Sequence, residues 1–215
     1  MLKFIKPDYK VNEYVENNYY GKFVLEPLER GFGTTMGNAL RRVMLSSLEG
    51  SAITDIKIEG VMHEFQKMDG VVEDVTEIIL NLKKLVLKNH SEQDQILHLK
   101  ADREGEVHAS DIDKNGEVEI VNPDLVIATI SAGGCLDMTM TVSNGRGYVD
   151  GKVNAQAVKD VVGAIGIDSL YSPIERVSYE VEPARVGQSD NYDKLTLNVW
   201  TNGSIKPEEA LANAS

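Results

Sequence analysis

An α+β fold, with one domain inserted into another, is predicted by three features of this 215-residue sequence. Apolar and polar residues alternate as in strands near both ends, helical spacing occurs twice in the first 85 positions, and short strand patterns fill the middle. No repeat, low-complexity tract or Pro/Ser-rich linker separates two successive domains. We therefore expect residues 1–50 and 177–215 to form one discontinuous domain, with residues 51–176 as a mostly β insert.

The first elements are predicted to be two strands followed by a helix. β-Branched and aromatic residues between positions 11 and 25 favour strands, and Asn17–Asn18 favours a tight turn between them. The stretch 26–33 is not expected to continue the strand ladder. A helix with Thr34 or Thr35 as its N-cap is expected to end near Glu49–Gly50.

The remaining chain is predicted to be mostly strand, with a second amphipathic helix and a short last one. The second helix is expected over 72–84, with acids at its start and lysines at its end, as the helix dipole favours. Pro207 and the two acids after it start the last helix. Strands are expected at 53–61, 94–100, 117–121, 125–131, 136–142, 177–181 and 195–199, the last two forming a long hairpin.

The charge composition weakens one functional class. The chain has 34 acidic and 22 basic residues, a net charge of −12, whereas binding to DNA phosphates requires clustered basic side chains. We expect no direct DNA binding by this chain. We also expect no membrane span and no secretory leader, and the single Cys135 cannot form an internal disulfide. These features favour a cytoplasmic protein.

Two loops resemble ligand-binding motifs without matching them. The glycines from Gly31 to Gly37 evoke a dinucleotide-binding turn, but Met36 stands where that fingerprint requires its third glycine. A small nucleotide-binding enzyme using this turn is the alternative function, and close helix packing is the simpler interpretation. Residues 111–116 match half of a calcium loop, but Asn122 stands where a bidentate Glu is required, so we favour a hairpin turn.

No catalytic or cofactor pattern is evident elsewhere. His63, His90, His98 and His108 lie at no metal-ligand spacing, and no serine or carboxylate pair forms a recognisable catalytic motif. We expect no cofactor, no metal and no catalytic residue in this chain. The segment 144–148 is expected to be a turn between strands, with Arg146 and Tyr148 as candidate partner contacts.

The first helix has two distinct faces. At about 100° per residue, one face is apolar and is expected to face the core: Met36, Ala39, Leu40, Val43 and Met44. The opposite half carries Asn38, Arg41, Arg42, Leu45 and Glu49. A leucine between two arginines resembles a small docking hot spot, although single exposed leucines are also common on protein surfaces.

Sequence blocks along almost the whole chain resemble a known family. Six blocks resemble, in the same order, the N-terminal domain of the bacterial RNA polymerase alpha subunit. They are residues 25–47, 60–65, 73–83, 145–148, 171–177 and 201–210. The first block reads LEPLERGFGTTMGNALRRVMLSS and contains most of the predicted first helix. A long ordered match of this kind is far more specific than any single motif above.

The resemblance implies a non-catalytic scaffold within a nucleotidyltransferase complex. Two alpha chains dimerise through the discontinuous domain and recruit the beta and beta-prime chains, which together form the active site. The resemblance assigns beta-chain docking to Arg42, with Leu45 and Arg41 beside it, and beta-prime docking to Lys83. It also implies which residues of the first helix face the core and the dimer contact. They are Phe32, Met36, Gly37, Leu40 and Val43.

The resemblance also sets limits on what this chain is expected to do. The family continues through a linker into a domain that binds DNA and activators, and this sequence contains neither. DNA binding is therefore not transferred from the family. Only Pro207–Ser215 corresponds to the family's last helix, so we expect a weak dimer.

Overall fold

A computed structural model describes residues 8–15, 19–187 and 189–215. The chain divides into two compact units, which we call the terminal unit and the insert unit. The terminal unit comprises the chain up to Leu48 together with Ser172–Ser215, and the insert unit is Glu49–Tyr171. The divisions thus fall after residues 48 and 171, where the sequence predicted 50 and 176.

Helices and antiparallel strands make up both units, which confirms the α+β class. The helices are α1 (Phe32–Ser46), α2 (Val75–Leu82), α3 (Gly151–Ala157) and α4 (Pro207–Ala214). The strands are β1 (Asp8–Val15), β2 (Tyr20–Glu29), β3 (Glu49–Ile58), β4 (Leu87–Asn89), β5 (Gln95–Ala101), β6 (Gly105–His108), β7 (Val118–Ile120), β8 (Val126–Ile130), β9 (Leu136–Arg146), β10 (Tyr148–Val149), β11 (Ala164–Gly166), β12 (Ser169–Leu170), β13 (Ile174–Val186) and β14 (Ser189–Thr201).

The terminal unit is a four-stranded sheet in the order β1–β2–β14–β13, against which α1 and α4 pack. The predicted hairpin is confirmed, because Val177 pairs with Val199, and Val181 pairs with Leu195. These cross-strand pairs place apolar side chains on one sheet face. Together with α1 they form a core that includes Phe23, Leu40, Met44, Leu195, Leu197 and Val199.

Strand β2 runs four residues past the predicted end of the ladder, so the expectation for residues 26–29 was wrong. Its pairing with β14 joins Leu25 to Leu195 and then Leu28 to Asp193, so the register shifts between these pairs. Proline lacks the N–H that a regular ladder needs, and Pro27 lies within this irregularity. A local bulge therefore carries the strand past a residue that would otherwise end it.

Helix α1 begins earlier and ends earlier than the sequence predicted. Gly31, not Thr34 or Thr35, is the N-cap, with a left-handed φ of 89° that glycine adopts without strain. The helix ends at Ser46 because Glu49 and Gly50 already belong to β3, paired with Arg146 and Gly145. Pairing to a distant strand therefore determined this boundary.

The insert unit contains several small sheets and two helices. Strands β11–β3–β9–β5 form its main sheet, and β4–β7, β6–β8 and β10–β12 form pairs. Helix α2 begins at Val75, later than predicted, because Asp74 and Glu77 form a capping box. Its apolar face enters a core that includes Ile56, Ile78, Leu97, Leu99, Met138 and Met140.

Two predicted turns of the insert unit were wrong. Residues 144–146 continue β9, and the chain bends only at Gly147, where φ is +66°. Residues 111–116 do not close a hairpin, because β6 pairs with β8 whereas β7 pairs with β4. The short elements β4, β6, β10–β12 and α3 were not predicted, since so few residues carry no readable periodicity.

Candidate docking surfaces

The polar face of α1 carries two arginines, and only one of them has a hydrogen-bond partner among the described residues. Arg41 and Arg42 are both exposed, but Arg41 Nε donates a hydrogen bond to the Val177 carbonyl at 3.2 Å. Within the described residues, the Arg42 guanidinium has no hydrogen bond or ion pair. A guanidinium presents five donors in a planar fork, so Arg42 offers a site for a carboxylate or a carbonyl of a partner.

Leu45, beside these arginines, is less exposed than its position on the helical wheel suggests. It is half-buried and packs against the core of the terminal unit. Ala39, predicted to face the core, is exposed. The apolar and polar faces are therefore rotated from the predicted ones, because α1 packs on the sheet through the line of Gly33, Gly37, Leu40 and Met44.

The residues expected on the core and dimer side differ in burial. Gly37 and Leu40 are buried, and Met36 and Val43 are half-buried. Phe32 is 55% exposed at the start of α1. An open groove of about 300 Å³ runs between α1, α4 and β2, lined by Leu25, Met36, Leu40, Glu208, Leu211, Ala212 and Ser215. Most of this lining is apolar, so the groove is suited to apolar side chains.

The glycines of the 31–37 segment serve packing instead of ligand binding. A Cβ atom on Gly33 would lie 2.7 Å from Val181 Cγ1, and one on Gly37 would lie 2.5 Å from Tyr179 Cδ2. The amides of Gly31 and Gly33 donate to Asp193 Oδ2 at 2.8 and 3.2 Å. A carboxylate thus occupies the place where a nucleotide phosphate would bind. Nothing supports the alternative of a nucleotide-binding enzyme.

Lys83 belongs to a charged cluster in the insert unit. Its ammonium lies 2.7 Å from Asp168 Oδ2, and the Gly151 amide donates to Asp168 Oδ1 at 2.7 Å. These two donors lower the pKa of Asp168, with Lys83 as the larger cause. Tyr148, 60% exposed, lies near enough to Asp168 to contribute to the lowering of its pKa. Asp168 thus joins Lys83 and Tyr148, which the sequence analysis had singled out separately.

Asp168 itself was missed by the sequence analysis. It is one of 34 acidic residues, and nothing in its local sequence sets it apart. Arg146 is exposed and pairs through the β3–β9 ladder with Glu49, so it belongs to a strand and not to a turn.

The half-matched calcium loop has its acidic side chains engaged by protein groups. Asp111 accepts from Arg103 and from the His108 amide, which lower its pKa, the amide bond being the larger cause. Asp113 lies 3.0 Å from His98 Nδ1. In the described part of the chain, no group of three His, Cys, Asp or Glu residues could hold a metal ion. Over the same residues, no helix has the length and apolar character needed to cross a membrane.

Comparisons with known proteins agree on one family. A family model described as RNA polymerase Rpb3/RpoA insert domain matches residues 56–172. The DNA-directed RNA polymerase subunit alpha of Desulforamulus reducens is 55% identical over 98% of this chain and 66% of its own length. Those of Carboxydothermus hydrogenoformans and Staphylococcus epidermidis are 55% and 54% identical over all of this chain and 68% of their own lengths.

The matches to these relatives cover both the terminal unit and the insert unit. The chain spans about two thirds of the length of these relatives. Identity above one half over such a length is found between members of one family with one fold. The chain belongs to the family of bacterial DNA-directed RNA polymerase alpha subunits.

Proposed function

We propose that this chain is an assembly scaffold of a cytoplasmic DNA-directed RNA polymerase, which dimerises and recruits the beta and beta-prime chains. The polymerase role is supported by identity to named alpha subunits over the whole chain. In this role the chain makes no bonds in RNA and contributes no catalytic residue. The nucleotidyltransferase chemistry belongs to the assembled complex.

Docking of the beta chain is assigned to the Arg42 face of α1. The observation that carries this assignment is the exposed Arg42 guanidinium, which has no partner among the described residues, beside an Arg41 that is tied to Val177. Leu45 supplies a half-buried apolar contact one turn away. Arginine with a neighbouring apolar contact is a composition typical of interface hot spots.

Dimerisation is assigned to the apolar side of α1 and the neighbouring groove. Phe32 is 55% exposed, and Met36 and Leu40 line the groove between α1 and α4. Large apolar side chains exposed beside an apolar groove lose unfavourable contact with water when a second copy covers them. The beta-prime chain is assigned to the Lys83–Asp168–Tyr148 cluster of the insert unit.

The test is capture of separately purified beta chain by this protein and by its Arg42→Ala variant. The variant is expected to fold normally and to bind the beta chain about 30- to 1,000-fold more weakly, which corresponds to about 2 to 4 kcal/mol for an interface arginine. Arg185→Ala is the matched control, since Arg185 is also exposed in the terminal unit and, among the described residues, donates only through Nε, to the Gly187 carbonyl.

Two results would contradict the proposal. If the unmodified chain does not retain the beta chain, the scaffold role is wrong. If Arg42→Ala and Arg185→Ala retain it equally well, the docking face lies elsewhere on the molecule.

A further inference from the structure

We propose that Asp193 is a positioning residue for beta-chain docking, because its carboxylate anchors the start of the helix that carries Arg42. The inference rests on the proposed function, since it concerns the same docking face. Asp193 would not touch the beta chain. Its effect would pass through the placement of α1.

Helix α1 has no side-chain cap of its own. Its N-cap is Gly31, and no side chain within the segment satisfies the free amides of the first turn. These amides are left without helical partners in any α-helix, and they carry the positive end of the helix dipole. Asp193 Oδ2 accepts from the Gly31 amide at 2.8 Å and from the Gly33 amide at 3.2 Å. A distant strand therefore supplies the missing cap.

The backbone at Gly33 and beside Asp193 allows this close contact. A Cβ atom on Gly33 would lie 3.1 Å from Asp193 Oδ2 and 2.7 Å from Val181, so only glycine lets the carboxylate approach so closely. Asp193 also adjoins the register shift between β2 and β14. Irregularities of this kind redirect side chains out of the regular pleat. The β14 strand thus turns its carboxylate towards the helix start.

Two polar contacts tie α1 to the β13–β14 hairpin at well-separated points of the helix. Asp193 on β14 holds the first turn, and Val177 on β13 accepts from Arg41, the neighbour of Arg42. A binding face that is ordered in advance does not have to be ordered during association, so its affinity is higher. Loss of the Asp193 contact would let the first turn open and would add that ordering cost to docking.

The experiment compares the unmodified chain with a set of variants at a temperature where circular dichroism shows all of them folded. Asp193→Ala removes the cap, and Asp193→Asn keeps an oxygen that can accept from the two glycine amides. Glu180→Ala is the control, because Glu180 is an exposed carboxylate on the same hairpin with no described partner. Hydrogen exchange of the α1 amides and affinity for purified beta chain are measured for each.

We expect Asp193→Ala to weaken binding of the beta chain about fivefold, the size of effect that loss of a helix cap produces. The first-turn amides should exchange faster in the same variant. Asp193→Asn should restore most of both properties, and Glu180→Ala should change neither. In the Arg42→Ala background, Asp193→Ala should cause no further loss, since both substitutions act on one face.

Each contrary result has a distinct meaning. Unchanged exchange in Asp193→Ala would overturn the anchor. Faster exchange with unchanged affinity, or a full additional loss in the Arg42→Ala background, would overturn the positioning role. Failure of the unmodified chain to bind the beta chain would overturn the proposed function and the positioning role with it, whatever the exchange shows.

Discussion

Both units enclose an apolar core, but among the described residues the insert unit has more side-chain hydrogen bonds that join separate strands than the terminal unit has. In the terminal unit, Gly33 and Gly37 bring α1 directly onto the side chains of Val181 and Tyr179. In the insert unit, hydrogen bonds between side chains join separate strands, as between Ser51 and Asn144 at 2.8 Å. The difference follows from the three two-stranded pairs of the insert unit, because such short strands share few backbone hydrogen bonds.

The shifted pKa values are also distributed unequally between the two units. The described side chains with displaced pKa values are His98, Asp111, Asp137, Tyr148 and Asp168, all in the insert unit. Charged hydrogen bonds couple folding to pH, whereas apolar packing does not. We therefore expect the stability of the insert unit to depend on pH.

The largest expected effect is on the packing of α1. Gly37→Val would place a branched side chain where Tyr179 Cδ2 lies 2.5 Å and Leu195 Cδ1 lies 2.9 Å from the new Cβ. We expect a loss of about 3 kcal/mol in the free energy of unfolding, since overpacking forces neighbouring atoms apart. Thermal or urea unfolding of the purified variant measures this loss.

Asn38→Val is the matched control, because Asn38 is the exposed neighbour of Gly37 on the same helix. It should change stability by no more than about 0.5 kcal/mol. Equal destabilisation by the two substitutions would show that helix propensity, and not packing on the sheet, decides the outcome.

A smaller effect is expected for the charged cluster of the insert unit. Lys83→Ala should weaken retention of the beta-prime chain by the alpha–beta complex about fivefold, or about 1 kcal/mol. Stability should change by at most about 1 kcal/mol, because the Lys83 and Asp168 side chains are 35% and 37% exposed and water screens their attraction. Lys84→Ala, at the adjacent exposed lysine, is the control. Equal retention by both variants would remove Lys83 from the docking surface.

The smallest effect concerns the pH dependence of the insert unit. His98 bridges Asp137 at 2.8 Å and Asp113 at 3.0 Å, and Lys100 lies 3.7 Å from Asp137. The bonds to Asp137 and then Asp113 raise the pKa of His98 above its ordinary value of 6.5. Because the folded chain holds this proton more tightly, the stabilisation is complete below pH 6.5 and is lost as pH rises through the raised pKa.

Melting temperatures of the unmodified chain and of His98→Asn, measured between about pH 6 and pH 9, test this dependence. The unmodified chain should lose stability over this range, and the variant should show a smaller decline. The same slope in both proteins would mean that His98 does not control the transition.

Local pattern was enough to predict the main elements. Alternation predicted the β13–β14 hairpin, and the structure then gave its register, in which Val177 pairs with Val199 and Val181 with Leu195. Helical spacing predicted α1 and α2 but not their ends, because Gly31 and the Asp74–Glu77 box, not the threonines or the apolar face, determine where they start. The long ordered blocks indicated the alpha-subunit family, which the comparisons then showed.

The sequence by itself determined the fold class, the helix with Arg42 on an exposed face, and the family. These depend on periodicity and on residue order, both of which are local properties of the chain. Only the tertiary structure decided that Lys83 meets Asp168 across 85 positions and that Asp193 caps α1 across 162. Such contacts depend on strand pairing and on a register shift, which bring together residues with no common signal in the sequence.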